Sequence, residues 1–476
     1  MSKSPNLPVR LTANASTLAK QCEAALSARG LTVHQAFFDI EEHDALDVDS
    51  QQDELVLSMI LETVPSCKEA ALLGARIAAY ARQGLPPVVL IPLPLATPKK
   101  PPARSGDEHA ASLALLRGRG AIVLRDPNIW LECIVLLSAH GVPTGPNGAI
   151  VAEPGAWLAI SASALQKRAE AVGERFSPSS ASLDGSRATD FVLTDAPPAS
   201  ASKARVLFIP IAAVASKESG ALIGLANALA AAEAAGQASR RISAGDGPAS
   251  NADAPDDEFD EARFERQLDK LAEAVGDHEC KVLLSSYGVS ITRQAVATTP
   301  SAATRIAKKA GYPVEIKAWG AHQPSEPEGA LVLTDVATAA DVRRSYSTVC
   351  MKAEAEAVII RETPMTGREV QVHFRTMGAV GLVCFLYQRG SREPVAALAP
   401  LRKIDAEAMA RHVVASRAGD QDPDWAALAS LLRNASYMVS ANPRLVSVEL
   451  NRVVVGNHGE GALVVDARAR LSPSRN

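Results

Sequence analysis

The sequence predicts an α/β chain: two parallel-sheet domains followed by a separate α+β domain. Three observations carry that prediction. Short β-rich runs alternate with amphipathic helical stretches from Val9 onward, the alternation changes character near residue 263, and a polar stretch at 236–261 separates the two regimes. At 476 residues and 47% hydrophobic, the chain exceeds the ~250–300 residues at which a single core stops growing, so it needs several domains. Their boundaries fall at 8–145, 146–236 and 263–476, with 237–262 a disordered linker.

In the first domain, runs of aliphatic and β-branched residues mark strands at 9–12, 55–60, 88–91 and 121–124, while 17–29 and 67–82 carry the helical period. Such alternation argues a parallel sheet with helices on both faces. The proline-rich TPKKPPARSGD at 97–107 takes the chain out of the sheet as a loop inside this domain. A smaller second unit repeats the theme, with strands at 149–151, 191–193 and 206–209 and helices at 162–172 and 220–235. The Ala-rich helix is expected to pack on its own sheet, as small apolar residues at helical spacing usually do, with an oligomer or partner helix as the alternative. The linker is rich in Ala, Ser, Gly and Asp and has almost nothing to bury. Its acidic end, at 256–262, is a solvated first helical turn favoured by the macrodipole. Strands such as PVEIK, VIIRE and EVQVHF then give the third domain its mixed grammar.

Composition excludes several functions. Forty-nine Lys and Arg against 53 Asp and Glu leave a net charge of −4, so no basic field draws the chain to nucleic acid or anionic lipid. MSKSPNLPVRLTANAS lacks the apolar core of an export leader, and no run approaches the ~18–20 apolar residues that span a bilayer. Cys22, Cys67, Cys133, Cys280, Cys350 and Cys384 are far apart and never form CxxC, which fits a reducing cytoplasm and argues against structural zinc.

The chemistry concentrates in the last domain. YGVS at 287–290 precedes GYPVEIKAW at 311–319, a strand ending in a lysine followed by a glycine loop, which aims an ammonium and backbone donors at a polyphosphate. VIIRETPMTGREVQVHF, LAPL, SVELNRVVV and VVDARARL follow in order. Over about residues 268–471 this series resembles the ATP-grasp part of the NDP-forming acyl-CoA synthetases, the group of ADP-forming acetate-CoA ligase and succinyl-CoA synthetase. The resemblance implies an α+β ATP-grasp domain that binds ATP and Mg²⁺. It gives Lys317 the nucleotide phosphates, Glu362 and Glu369 the adenine and ribose side, and Asn451 with Asp466 the magnesium, with Glu449 an additional ligand of lower weight. A hard cation that keeps several waters needs only one or two such protein oxygens plus phosphate. Taken alone, Lys317 also fits an edge-strand lysine reaching for solvent, the two glutamates exposed strand residues, and Asn451 and Asp466 a turn and a cap.

Two departures stand out. The family's H-K-[ST]-D-x-G-G loop is replaced by WGAHQPSEPEGALVL, which loses the loop lysine and gains carboxylates that repel phosphate. The family's D-P-x-F-G-P segment reads RTMGAVGLV.

The amino-terminal segments resemble the flavodoxin-like CoA-ligase domains of the same synthetases, so the expected order is two flavodoxin-like parallel-sheet domains and then ATP-grasp. That resemblance matches Glu62 to the glutamate supporting the family's phosphohistidine, although an exposed strand-end glutamate fits equally. The S-H-T-G loop carrying the phosphohistidine is missing; His109, the sole nearby histidine, is the candidate for that catalytic role, but it falls at the start of the following helix, where a solvated first-turn residue fits as well. No GxGxxG run marks a CoA-binding Rossmann domain, so CoA would be bound by a partner subunit or not at all.

The expected function is an ATP-dependent ligase that activates a carboxylic acid as its acyl phosphate for transfer to CoA. Two alternatives stay open: a non-catalytic or regulatory scaffold beside a complete synthetase, and a ligase that passes the acyl phosphate to another nucleophile.

Overall fold

A computed structural model describes residues 7–14, 16–37, 55–83, 85–92, 105–151, 157–158, 161–163, 190–194, 207–212, 221–244, 255, 259–391, 393–414 and 422–473. The chain forms two compact units, one built on Met1–Gly247 and the other on Pro248–Met377, Gly381–Ser416 and Asp420–Asn476.

The first unit carries β1 (Val9–Ala13), β2 (Val33–Phe37), β3 (Val56–Ile60), β4 (Val88–Leu90) and β5 (Ile122–Leu124) in the order β2-β1-β3-β4-β5, every neighbouring pair parallel. This is the flavodoxin-like strand order, with β1 at the switch point. β3 and β4 are buried along their length, which explains their unbroken apolar sequence. The helix Cys67–Ala81 starts at a capping box: Glu69 N–H donates to Ser66 Oγ at 3.3 Å and Ser66 N–H donates to Glu69 Oε2 at 2.7 Å. Ala70, Leu73, Ile77 and Ala81 then form its buried stripe.

A second parallel sheet follows, β6 (Gly148–Val151), β7 (Phe191–Thr194), β8 (Leu207–Ala212) and β9 (Leu222–Ile223), in sequence order. The two stretches read as separate domains contribute to a single hydrophobic core that runs from Val9 to Ala238. The helix Pro127–Ala139 joins them. Trp130, Cys133, Ile134, Val135, Leu136 and Leu137 are all buried in it, and it packs on both β3 and the helix Leu225–Ser243. Its one buried charge, Glu132, is paired with Arg29 at 2.6 Å and accepts from Ile223 N–H at 2.8 Å.

Three boundaries differ from expectation. The Ala-rich helix starts at Leu225 because Leu222–Ile223 pair with β8. It continues to Ser243, seven residues into the stretch read as linker, because Ala238 is fully buried and Arg240 pairs with Asp190 at 2.9 Å. The helix Ser105–Gly118 takes in residues 105–107 of the expected loop. Residues 245–254 of the linker, 97–104 of that loop and 164–172 of the expected second-domain helix lie outside the described residues.

The second unit holds two antiparallel sheets. β11 (Gln294–Ala297), β12 (Val314–Ala318), β13 (Val332–Val336) and β14 (Val358–Glu362) are arranged β11-β14-β12-β13. Ala303, Ala307, Val342 and Val349 from two helices pack on Val314, Ile316, Val358 and Ile360 of this sheet. Strand periodicity sends Glu315, Lys317 and Arg361 to the opposite face. The other sheet joins β10 (Ala274–Val275), β15 (Arg368–Thr376), β16 (Leu382–Gln388), β17 (Val395–Leu398), β18 (Leu445–Val455) and β19 (Ala462–Leu471) as β10-β19-β18-β15-β16-β17. Helices Asp277–Ser286, Lys403–Val413 and Trp425–Ala441 complete its core. No described helix is long and apolar enough to cross a membrane.

Candidate functional site

β12 lies between β14 and β13, so Lys317 is not on an edge, and at 2% exposure it does not reach solvent. A buried ammonium persists only with partners. Lys317 Nζ donates to Asp466 Oδ1 on β19, with Asp277 Oδ2 at 3.5 Å and Glu326 Oε1 at 3.7 Å. Asp277, at the start of the helix Asp277–Ser286, accepts from Ala467 N–H at 3.0 Å and pairs with Lys281 at 3.2 Å. Lys281 also donates to Thr292 Oγ1 at 3.0 Å and to the Val465 carbonyl at 2.7 Å. Arg361, fully buried on β14, reaches Glu315 Oε2 through Nε at 2.8 Å and Nη2 at 2.6 Å, and Glu326 Oε1 through Nη1 at 2.5 Å.

Three cations and four carboxylates are thus closed on one another. Burial pushes the Asp277 carboxyl up, but Lys281, Lys317 and Arg361 outweigh it and hold the group below its ordinary value. Burial pulls the Lys281 ammonium down to about 8. For Arg361, the carboxylates of Glu326 and Glu315 outweigh burial and keep the guanidinium charged.

Beside this network is a cavity of ≈ 320 Å³ lined by Glu326, Glu369, Val370, Gln371, Arg389, Asn451 and Arg452. A β-bulge shapes it. Val370 pairs with Val453 and Val372 with Leu450, so Gln371 alone faces both Asn451 and Arg452. The β18–β19 ladder likewise skips Asn451 between Leu450–Ala467 and Arg452–Asp466. Such an extra residue re-aims side chains, and here it leaves the Asn451 Nδ2 buried with no hydrogen-bond partner. Glu369 Oε1 accepts from Arg452 Nε at 3.0 Å, and its Oε2 accepts from Arg389 Nη1. Arg452 Nη1 also reaches Glu326 Oε2 at 3.2 Å.

Of the residues expected at a nucleotide site, Glu369 and Asn451 line the cavity and Lys317 and Asp466 stand behind it, joined by Glu326. Glu362 is elsewhere, held by Arg293 through its backbone N–H at 2.8 Å and its Nε at 2.6 Å. Glu449 pairs with Arg375 at 3.5 Å. In the first unit, Glu62 is exposed just beyond β3 and donates its N–H to Asn14 Oδ1 at 3.1 Å. His109 is exposed within a helix rather than on a loop. Sequence reading passed over Glu326, Arg361, Arg389 and Arg452, although Arg361 precedes Glu362 and Arg452 follows Asn451 directly.

A divalent cation does not fit the expected pair as it stands. Asp466 is 0% exposed, with Oδ1 engaged by Lys317 and Oδ2 accepting from Glu326 N–H at 3.3 Å. Among the described residues no three His, Cys, Asp or Glu side chains cluster to hold a metal.

This fold and cavity define an ATP-grasp domain, and residues 267–471 match the family model of that description. The chain is 24% identical over 230 residues to 4-hydroxybutyrate–CoA ligase [ADP-forming] of Nitrosopumilus maritimus, covering 45% of this chain and 32% of that protein. It is 24% identical over 220 residues to the subunit beta of acetate–CoA ligase [ADP-forming] II of Pyrococcus furiosus, covering 42% of this chain and 92% of that subunit. A solved acetyl-coenzyme A synthetase 1 of Ca. Korarchaeum cryptofilum is 22% identical at a TM-score of 0.40, over 44% of this chain and 98% of that one. Residues 267–471 are thus an ATP-grasp domain similar to parts of ADP-forming acyl-CoA ligases. The chain spans about a third of the length of the 4-hydroxybutyrate–CoA ligase.

Proposed function

We propose that this chain supplies the nucleotide-binding domain of an ADP-forming acyl-CoA ligase, which uses ATP to convert a carboxylic acid to its acyl phosphate for transfer to CoA. The observation that carries the reading is the cavity wall, which brings Asn451, Arg389, Arg452 and Glu369 together. Guanidinium groups suit phosphate oxygens, and the Glu369 carboxylate suits the hydroxyls of a ribose. With His109 exposed on a helix, the reading assigns the phosphoryl carrier and the CoA site to a partner subunit. The match to nearly the whole of a beta subunit supports that division of labour.

Calorimetric titration with ATP tests the proposal. Wild-type protein binds, and Arg389→Ala and Asn451→Ala each weaken binding by about tenfold, the loss expected for one charged or buried hydrogen bond. Absence of ATP binding by the wild type at millimolar concentration sinks the reading. Release of ADP that requires a carboxylic acid, CoA and the partner subunit together tests the reaction.

A further inference from the structure

Resting on the nucleotide reading above, we propose that Glu326 is an internal competitor for polyphosphate, a carboxylate of the protein's own seated on the cations that the phosphates need. Its two oxygens occupy three cationic side chains from three strands: Oε1 is 2.5 Å from Arg361 Nη1 and 3.7 Å from Lys317 Nζ, and Oε2 is 3.2 Å from Arg452 Nη1. The carboxylate also lines the cavity, so it stands between the ligand space and the buried lysine. A phosphate group is likewise anionic and also offers a guanidinium a pair of acceptor oxygens.

The loop around it is tied down, so the competitor is delivered in a fixed place. Ser325 N–H donates to Glu328 Oε2 at 3.2 Å, Ala330 N–H to the Ser325 carbonyl at 3.0 Å, and Gln323 Nε2 to the Ala353 carbonyl at 3.0 Å. Gly329 closes the turn at φ 96°, a backbone that favours glycine. Glu326 N–H itself donates to Asp466 Oδ2. Polyphosphate therefore gains the three cations only when the Glu326 side chain swings away from them, and the site's affinity is set by the difference between the two anions.

The test titrates inorganic tripolyphosphate, ATP and adenosine in EDTA into wild-type protein and the Glu326→Gln, Glu326→Asp and Glu273→Gln variants. Glu273 is an exposed carboxylate of the same unit, paired with Arg470 at 3.2 Å, and serves as the charge control. Glu326→Gln is expected to tighten tripolyphosphate and ATP on the order of tenfold, since it removes one charge-assisted competitor. Glu326→Asp tightens them less, and adenosine affinity and the Glu273→Gln variant stay at the wild-type level. If Glu326→Gln does not fold, the Glu326→Asp shift alone decides. Equal affinity of the wild type and the Glu326 variants for both phosphate probes overturns the inference while leaving the nucleotide reading intact. If no protein in the set binds ATP, both fall together.

Discussion

Lys317 and Asp466, 149 positions apart in sequence, form an ion pair in which the lysine side chain is 2% exposed and the aspartate 0%. The pair links the lysine-bearing strand of the four-stranded sheet to β19 of the other sheet. Whatever each residue does for a ligand, its first task is to neutralise the other in a place that water does not reach.

Breaking that pair from one side is therefore costly. Lys317→Met leaves Asp466 and Asp277 facing each other without the ammonium and should cost about 3–5 kcal/mol, the range for an uncompensated buried charge. Lys317→Met combined with Asp466→Leu should recover a good part of it. Urea midpoints of the single and double variants check this, and a single variant as stable as wild type would contradict the burial described.

Acid sensitivity should trace partly to His373. Burial, with Arg375 beside it, pulls its pKa from the ordinary 6.5 to about 3. The folded state then binds fewer protons than the unfolded state between about pH 3 and 6.5, so stability rises with pH across that window and is lost as pH falls. Between pH 7 and pH 5 the contribution is about 2 kcal/mol, at 1.36 kcal/mol per unit. His373→Asn should flatten this part of the curve, as read from urea unfolding at the two pH values. His278, lowered in the same direction by burial, remains in both proteins.

Gly367 admits no side chain. A Cβ there would lie 2.3 Å from the Val455 carbonyl oxygen and 2.8 Å from its carbon, both backbone atoms that cannot rotate away. Gly367→Ala should cost about 1–3 kcal/mol by overpacking. It should also weaken ATP binding by moving Glu369, two residues along. Thermal unfolding and calorimetry on the same sample read both effects.

Thiol labelling should divide the cysteines. Cys22, Cys133, Cys280 and Cys384 are buried, whereas Cys67 and Cys350 are partly accessible. Burial raises the thiol of Cys22 to about 11 and that of Cys133 to about 12, so the nucleophilic thiolate is scarce as well as hidden. Native protein at pH 8 should accept at most two labels from a thiol reagent, and six in denaturant.

Four strands of the parallel sheet were legible as β-rich runs between helices, whereas β2, VHQAF, was not read because His34 and Gln35 interrupt its apolar run. The helix Pro127–Ala139 was not legible either: it is buried nearly all round, so IWLECIVLL carries no polar face to beat out a period of 3.6. Residues 237–243 were misread because composition reports what a stretch lacks, not that its Ala238 is already packed. At the site, Lys317, Asn451 and Asp466 stood out by motif order, and their convergence required only that the strands pair. Glu326 stayed hidden because it belongs to a loop without family pattern, and nothing in the sequence shows that Arg293 holds Glu362.

The helix Pro127–Ala139 has one more consequence, for anyone dividing this chain. It serves as a wall with a sheet on one side and the helix Leu225–Ser243 on the other, and its single acid, Glu132, reaches across to the backbone of Ile223. A polypeptide cut after residue 145 would strip one side of that wall to water and strand the acid's second hydrogen bond. The natural place to cut is beyond Ser243, where the last turn of the helix has already done its packing.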